Sequence, residues 1–502
     1  MTQYFQNLIK KHKGAAVLSI LICYLFYLLK YPESYKLGII ASMATTAAVY
    51  AVTGNFFFSL FSVYSLSLPF KVPAKQYHFL YASPTEYQYE LLPDGVFDNS
   101  YFTISTLWGA LLVLYYVNQF FHYVLLKKTT NITFFISLFR TPIVYLSLFS
   151  WSIYFFLSFI GSLTFSFNPS YSINYLVHES NIIVIYIGVL YLFLVEKKGG
   201  YYFSLILLAS ITFHGLIGVS QILRLFTEQN YIQNVPIIDA EQRLLFQRIN
   251  GVLGPNRHAY LIAIYSLMLL PLTRFIKNKT TLLFVLFLAA INIIFSQSRT
   301  VWLGIGAITL LCYAFNKKRL LSIFSTVRSR VKLRYLIISI ILIFIIIIPR
   351  ISVSNIFFSE EGGGALRKQM FTEGLQLLHL SPWFGFGAGT TVRALLDNFQ
   401  KSYVQVFPDS VHFTYLQLAI ESGIPATIAF FIPYYLFIRQ VFVLKVGKKW
   451  KNDMLLCVIG IIILTNVYFF FQPISGRTEF GYSGIILGLG AVALIQVSRH
   501  KV

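Results

Sequence analysis

Long apolar runs recur from one end of this sequence to the other, and they decide what the chain can fold into. A helix needs about 20 apolar residues to cross the hydrocarbon core of a bilayer. Runs of that kind alternate with short polar segments here, and only 12% of the residues are charged. The sequence therefore predicts an all-α polytopic membrane protein, a helical bundle of about 12–14 transmembrane helices. The candidate spans are 14–30, 37–53, 54–70, 102–126, 142–166, 179–195, 200–222, 257–275, 279–296, 299–316, 333–349, 413–440, 453–472 and 480–498.

Two of these boundaries depend on turn residues within longer apolar stretches. The stretch 37–70 is too long for one ordinary helix, and Gly54-Asn55 offers a turn, so it is counted as two spans. A single helix over 279–316 would also be too long, and polar residues interrupt it at 296–300. That interruption predicts a tight turn that holds Arg299 at one membrane face.

The excess of basic residues gives the orientation of the bundle. The formal net charge is +22, and many Lys and Arg residues lie in short loops between apolar runs. Such clusters mark cytoplasmic loops, so a lipid bilayer explains most of the charge and no nucleic-acid partner is needed. With the densest cluster, Lys317 to Arg334, inside, both termini are cytoplasmic and the long polar segment 350–412 is outside. Cations in the outer segments are unexpected, and they suggest an anionic ligand such as a phosphate.

Two cations stand out in the shorter outer segments. Arg248 precedes the turn Gly254-Pro255-Asn256, where Asn256 is a candidate N-cap for the next span. This stretch is either a cap with positioning charges or a place where Arg248 reaches an anion. Arg299 either extends its head group to water or binds an anion.

The longest outer segment contains a candidate amphipathic helix. Apolar residues from Leu366 to Leu380 recur near a helical period, and Arg367 and Lys368 lie on the same stretch. Glycines flank it at 362–364 and at 385–389. A Gly-rich run that follows no strand is a weak signal and does not imply a nucleotide fold.

The histidine after this segment is the candidate general base. Asp409 or Ser410 is predicted to cap a helix whose first turn contains His412. A helix dipole there would lower the pKa of the imidazole and favour its neutral, basic form. The alternative is an interfacial histidine without a catalytic role. Tyr415 shares the face of His412, whereas Glu421 is about half a turn out of phase, so it is structural or pairs with a cation elsewhere.

The run from His412 to Pro425 resembles the signature of the O-antigen ligase and O-antigen polymerase superfamily. Its members usually read His-Asn-x-Tyr-Leu-Gln followed by Glu-x-Gly, and this chain departs from that pattern at Phe413. The resemblance covers roughly residues 245–430. Further elements agree in order and spacing: Arg248, Gly251, Pro255-Asn256, Ser298-Arg299, Arg367, Pro382, Gly385, Gly387 and Gly389.

This resemblance implies a GT-C-like membrane glycosyltransferase with a large periplasmic or extracellular loop that contains amphipathic helices. It would act in the bacterial cytoplasmic membrane, with its site facing the periplasm, on oligosaccharides linked to undecaprenyl diphosphate. It would need no metal or other cofactor, and a flippase and a chain-length regulator are possible partners. The implied regions are 1–240 and 441–502 as flanking helices and 241–440 as the catalytic region. The implied site residues are His412 as base, Arg248, Arg299 and Arg367 on the diphosphate, with Arg299 also catalytic, and Tyr415, Gln417, Asn256 and Gly387 on the substrate.

Several functions fit these motifs. A polymerase would transfer the growing glycan to the next lipid-linked repeat unit, and a ligase would transfer it to lipid A–core. The number of candidate spans favours the polymerase. A flippase or transporter would place ionisable residues at mid-membrane, but the special residues here gather at one face. A scaffold would not need His and Arg in Gly-rich outer segments.

Overall fold

The computed structural model describes residues 12–30, 35–70, 104–126, 140–223, 255–310, 363–399, 402–405, 410–443, 453–473 and 477–499. All regular elements in these ranges are helical. The α-helices are α1 (Lys13–Lys30), α2 (Tyr35–Thr53), α3 (Phe56–Ser67), α4 (Ile104–Leu126), α5 (Pro142–Thr164), α6 (Pro169–Glu179), α7 (Asn181–Leu194), α8 (Gly199–Ile222), α9 (Pro255–Leu269), α10 (Lys279–Phe295), α11 (Arg299–Leu310), α12 (Gly363–Leu380), α13 (Thr391–Asn398), α14 (Thr414–Ser422), α15 (Ile424–Val443), α16 (Asp453–Phe471) and α17 (Arg477–Arg499). Short 3-10 helices cover Leu270–Phe275 and Tyr403–Gln405.

The predicted membrane bundle is confirmed. Ten of the described helical stretches are long and apolar enough to cross a membrane, and α3, α10 and α11 are shorter apolar helices. Arg248, the candidate span 333–349 and the basic run from Lys317 to Arg334 lie outside the described residues. The division into three regions stays a prediction.

Both predicted turns are present. Gly54 has φ +68°, and Asn55 caps α3 by accepting a hydrogen bond of 2.8 Å from the backbone N–H of Phe58. Between α10 and α11, Gln297 has φ +52°. The indole of Trp302 donates to the carbonyl of Ile293 at 3.1 Å, which holds the two helices together across this turn.

The span predicted over 413–440 is wrong, because it consists of two helices. Gly423 has φ +84° and separates α14 from α15. A Cβ at this position would collide with the carbonyl of Trp383, so the chain turns where another loop packs against it. Hydropathy could not reveal this break, since apolar residues continue on both sides.

The buried side chains form two cores. The larger one runs through the bundle from α1 to α17 and includes Tyr260, which stacks on Tyr468 with ring centroids 3.9 Å apart. The smaller one joins α12, α13 and α14 through residues such as Met370, Leu377 and Leu416. The predicted helix at 366–380 is confirmed as α12. The polar segment therefore folds over α14 around a core of its own.

Candidate functional site

One end of α16 brings two predicted site residues to the same level of the bundle. Helix α11 runs antiparallel to α16, because Gly304 faces Leu464 while Ile308 faces Gly460. Arg299, at the start of α11, is therefore near the carboxyl end of α16. At that same end the Thr414 hydroxyl donates to the carbonyl of Gln472 at 2.7 Å. His412 lies two residues before Thr414, so it shares this end of the bundle with Arg299.

Arg299 emerges from a buried turn. Ser296, Gln297 and Ser298 are all buried, and so are the Nε and Nη2 atoms of Arg299. A side chain that snorkels would place this head group in water, which does not fit the observed burial. A guanidinium inside protein is stabilised by nearby negative charge or acceptors, and the anion-binding role of Arg299 stays a prediction.

The backbone around His412 determines which ring nitrogen is basic. Its Nδ1 lies 3.2 Å from the carbonyl oxygen of Ser410. A carbonyl can only accept, so Nδ1 carries the proton, and in the neutral ring Nε2 is the basic nitrogen. The imidazole is half-buried, and its role as a general base stays a prediction.

The predicted position of His412 within the helix is wrong. Helix α14 begins at Thr414, and its N-cap is Phe413, which makes no side-chain capping bond. Ser410 is not the cap, and Asp409 lies outside the described residues. Phe413 is extended, with φ −157°, because its ring packs against Phe371 and Phe470 at centroid distances of 5.8 and 5.1 Å. This aromatic packing fixes the chain beside His412 at the position where the superfamily usually has Asn.

Tyr415 and Gln417 point into the protein. The Tyr415 hydroxyl donates to Oδ1 of Asn466 at 2.6 Å, and burial raises the pKa of Tyr415 to about 12. Tyr415 therefore stays protonated at neutral pH. Gln417 is 1% exposed and donates from Nε2 to Oε1 of Glu421 at 3.0 Å. Their contact with a substrate stays a prediction.

Glu421 anchors the Gly-rich loop 382–390. Its Oε2 accepts from the backbone N–H of Gly389 at 3.0 Å, and its Oε1 accepts from the Thr391 hydroxyl at 2.6 Å. Its backbone carbonyl also accepts from the N–H of Gly387 at 2.9 Å. Desolvation raises the pKa of the Glu421 carboxyl, and the hydrogen bond from Thr391 opposes that rise. Of the two roles predicted for Glu421, the structural one is observed.

Positive backbone angles let this loop approach α14 closely. Gly385 has φ +69°, and a Cβ there would lie 2.5 Å from the carbonyl carbon of Glu421. Gly387 has φ +101° and lies against Ser166 and Ser172. Gly387 therefore has a packing task, and its predicted substrate contact stays a prediction.

Arg367 and Asn256 are the other predicted site residues in the described ranges. Arg367 is accessible to solvent on α12, yet surrounding protein desolvates its guanidinium enough to lower its pKa from the ordinary value. Asn256 is not an N-cap, because α9 already begins at Pro255. Arg257, which sequence reasoning passed over, forms an ion pair of 3.1 Å with Glu479 and joins the starts of α9 and α17.

A buried histidine pair was also missed from the sequence. His258 Nε2 lies 2.8 Å from Oδ1 of Asn292, whose Nδ2 donates to the carbonyls of Gly215 and Leu288. His214 lies beside it, with ring centroids 5.9 Å apart. These residues come from α8, α9 and α10, so no local spacing could indicate them. They hold together the helices that lead to the Arg299 turn.

Within the described ranges, no group of three or more His, Cys, Asp or Glu side chains could hold a metal ion. Metal independence stays a prediction.

Comparison with known proteins bears on this region. Residues 284–431 match a family model described as O-antigen ligase. The matched segment includes Arg299, Arg367, His412 and Glu421, but not Asn256 or Arg248. No curated protein matches the chain.

Proposed function

Since residues 284–431 of this multi-pass membrane protein match the O-antigen ligase family model, we propose that the chain is a membrane glycosyltransferase. It polymerises oligosaccharide repeat units that are linked to undecaprenyl diphosphate, as in the assembly of O-antigen or capsule. The reaction takes place at the periplasmic face of the bacterial cytoplasmic membrane. No metal ion takes part.

One observation carries the proposal: Arg299 and His412 lie at the same end of the bundle, where α16 ends. They are 113 positions apart, yet both flank the end marked by the Thr414–Gln472 bond. A cationic donor and an oriented imidazole at one end of a helical bundle are the two groups that glycosyl transfer without a metal requires.

The chemistry follows from these residue types. The acceptor hydroxyl oxygen forms a bond to the anomeric carbon of the donor, while the bond from that carbon to the diphosphate oxygen breaks. Nε2 of His412 takes the hydroxyl proton, and the diphosphate leaves with the bonding electron pair. Direct displacement of this kind inverts the configuration at the anomeric carbon.

Arginines stabilise the charge that develops on the leaving diphosphate. Arg299 contributes most where its guanidinium meets that charge in the transition state, and one such donor is worth about 3–4 kcal/mol. Arg367, on the accessible surface of α12, and Arg248 bind the same diphosphate in the ground state. Tyr415, Gln417, Asn256 and Gly387 shape the walls around the sugar.

A ligase is the second candidate, and the description of the matching family favours it. In that case lipid A–core would replace the second lipid-linked unit as acceptor, with the same roles for His412 and Arg299. The large number of membrane helices favours the polymerase.

Purified protein with lipid-linked repeat units, in the absence of ATP and added metal, should produce longer glycans. Adding lipid A–core as the competing acceptor separates the two activities in one assay. Product on lipid A–core alone would replace the polymerase by the ligase. Unchanged donor under both conditions would reject both. Nuclear magnetic resonance of the product tests inversion at the new linkage.

A further inference from the structure

A cavity with both polar and apolar walls lies between the carboxyl end of α5, the Gly-rich loop 382–390 and α13. Its volume is about 240 Å³. This is below the range of about 300–1,000 Å³ that is usual for drug-sized ligands, so it suits a single small ring. The lining residues are Thr164, Phe165, Ser166, Phe167, Phe386, Thr390, Ala394, Asp397 and Asn398.

Aromatic rings contribute to the walls. Phe165 stacks on Phe384 with centroids 5.8 Å apart, and Phe167 carries the guanidinium of Arg393 at 4.0 Å from its ring centroid. Arg393 in turn donates to Oδ2 of Asp397 at 2.8 Å. Phe165 and Phe167 are both more than half exposed, so they offer apolar surface to a ligand.

The polar wall offers acceptors more than donors. The hydroxyls of Thr164 and Thr390 donate to backbone carbonyls, of Ile160 at 2.7 Å and of Gly387 at 2.6 Å. Asn398 Nδ2 donates to the carbonyl of Ala394 at 2.8 Å. The two hydroxyls spend their hydrogens inside the protein and keep lone pairs, Asn398 keeps its Oδ1 acceptor and one Nδ2 hydrogen, and an ionised Asp397 can only accept. A ligand that fits this wall brings O–H donors and no negative charge.

We propose that this cavity binds one uncharged sugar ring of the glycan, as a subsite separate from the reacting centre. The ring's apolar C–H face lies on the aromatic wall, and its hydroxyls donate to Asp397 and Asn398. A uronic acid or a sugar phosphate is disfavoured, because its charge would face the Asp397 carboxylate, and the neighbouring cation Arg393 is already committed to Asp397 and to the Phe167 ring. The inference rests on the proposed function for its substrate class.

The subsite is connected to the reaction site through the protein. Phe386 and Thr390 belong to the loop that Glu421 fastens to α14, and α14 begins two residues after His412. A sugar held there would retain the glycan without touching the reacting carbon. Its loss should weaken substrate binding and shorten products while leaving the chemical step intact.

The test is saturation-transfer nuclear magnetic resonance on the full chain in detergent. The ligands are glucose, galactose, mannose, rhamnose and N-acetylglucosamine, with glucuronic acid as charged comparison. At least one neutral sugar should give a saturable signal, and glucuronic acid should bind at least about tenfold more weakly, a difference of about 1.4 kcal/mol. Absence of binding by every neutral sugar, or equal binding of glucuronic acid, would overturn the proposal.

Variants locate the bound sugar. Asn398→Leu removes an acceptor from the wall and Asp397→Asn exchanges one acceptor for a donor, so each should weaken the neutral sugar at least about tenfold. Arg393→Gln breaks the ion pair with Asp397 but changes a residue that does not line the cavity, so it should weaken sugar binding less. Unchanged binding in Asn398→Leu, or equal losses in Asp397→Asn and Arg393→Gln, would contradict the subsite. An unchanged thermal unfolding midpoint shows that each variant is folded.

The variant His412→Ala, which should have little activity, separates sugar binding at the subsite from the proposed reaction. It should bind the neutral sugar as the wild type does. If binding is intact but the wild type elongates no lipid-linked glycan, the proposed function fails and the subsite stands. If elongation occurs but no neutral sugar binds, the subsite fails alone.

Discussion

Glu421 accepts a hydrogen bond of 3.0 Å from the backbone N–H of Gly389, which lies 32 positions earlier in the chain. Through this bond a carboxylate on α14 holds the Gly-rich loop that begins at Pro382. Glu373 does a similar task on α12, where its Oε2 accepts from the Ser402 hydroxyl at 2.6 Å. Buried carboxylates thus fasten the polar segment to itself, and the position of His412 depends on that fastening.

Replacing Glu421 by Ala should destabilise the protein. The substitution leaves the Gly389 N–H, the Thr391 hydroxyl and the Gln417 amide without their acceptor, and each unsatisfied buried group costs about 1–3 kcal/mol. We expect a loss of about 3–5 kcal/mol, measured by denaturation in detergent. Ser152→Ala, at an exposed position of α5, is the control and should change stability by less than about 0.5 kcal/mol. Equal stability of the two variants would contradict the anchoring role.

The same carboxylate should make stability depend on pH. Burial raises the pKa of Glu421 in the folded state above its ordinary value, so the folded protein holds this proton more tightly than the unfolded chain. The contribution of Glu421 is therefore most favourable below about pH 4.3 and declines as pH rises through the raised pKa. As pH rises through this window, the unfolding midpoint of the wild type should fall relative to that of Glu421→Gln. A constant difference between the two proteins would disprove the sign.

Glycine at 385 is required by the packing of the loop. Gly385→Ala would place a Cβ 2.5 Å from the carbonyl carbon and oxygen of Glu421, and a side-chain movement cannot relieve a clash with backbone atoms. The positive φ at this position would add backbone strain. We expect a loss of at least about 2 kcal/mol and a proportionate loss of activity. Gly306→Ala is the matched control, since nothing lies within 4 Å of its Cβ and α11 should gain about 0.5–1 kcal/mol. Similar behaviour of the two variants would show that the close approach is unimportant.

The bundle could be predicted from sequence because hydrophobic length is a local property. Each of the thirteen candidate spans that overlap the described ranges contains a helix there, and the turns at Gly54 and Gln297 were indicated by polar or small residues. The break at Gly423 was not, because it depends on the carbonyl of Trp383 approaching from another part of the chain. Residues that meet only after folding leave no periodic signal.

The candidate site was predictable as a set of residue types rather than as an arrangement. Arg299 and His412 were selected from their positions beside apolar runs. The start of α14 was misplaced, because Asp409-Ser410 reads as a cap, while the ring of Phe413 imposes an extended backbone through contacts with α12 and α16. The His258–Asn292 pair and the Arg257–Glu479 ion pair join different helices, so their partners could not be assigned from spacing.

Removing the imidazole of His412 should slow catalysis strongly without unfolding the protein. General-base catalysis contributes about 10²–10⁴-fold, so His412→Ala should lower kcat by that factor with little change in KM. Arg299→Ala should lower kcat about 10²–10³-fold, because its donor acts on charge that develops in the transition state. His379→Ala on α12 and Arg439→Gln on α15 remove a similar group from exposed positions and should retain activity. Initial rates of glycan elongation at saturating donor measure kcat, and the unfolding midpoint of each variant shows whether it is folded. Rates near the wild type in either site variant, or equal losses in the exposed controls, would show that the reacting centre lies elsewhere in the bundle.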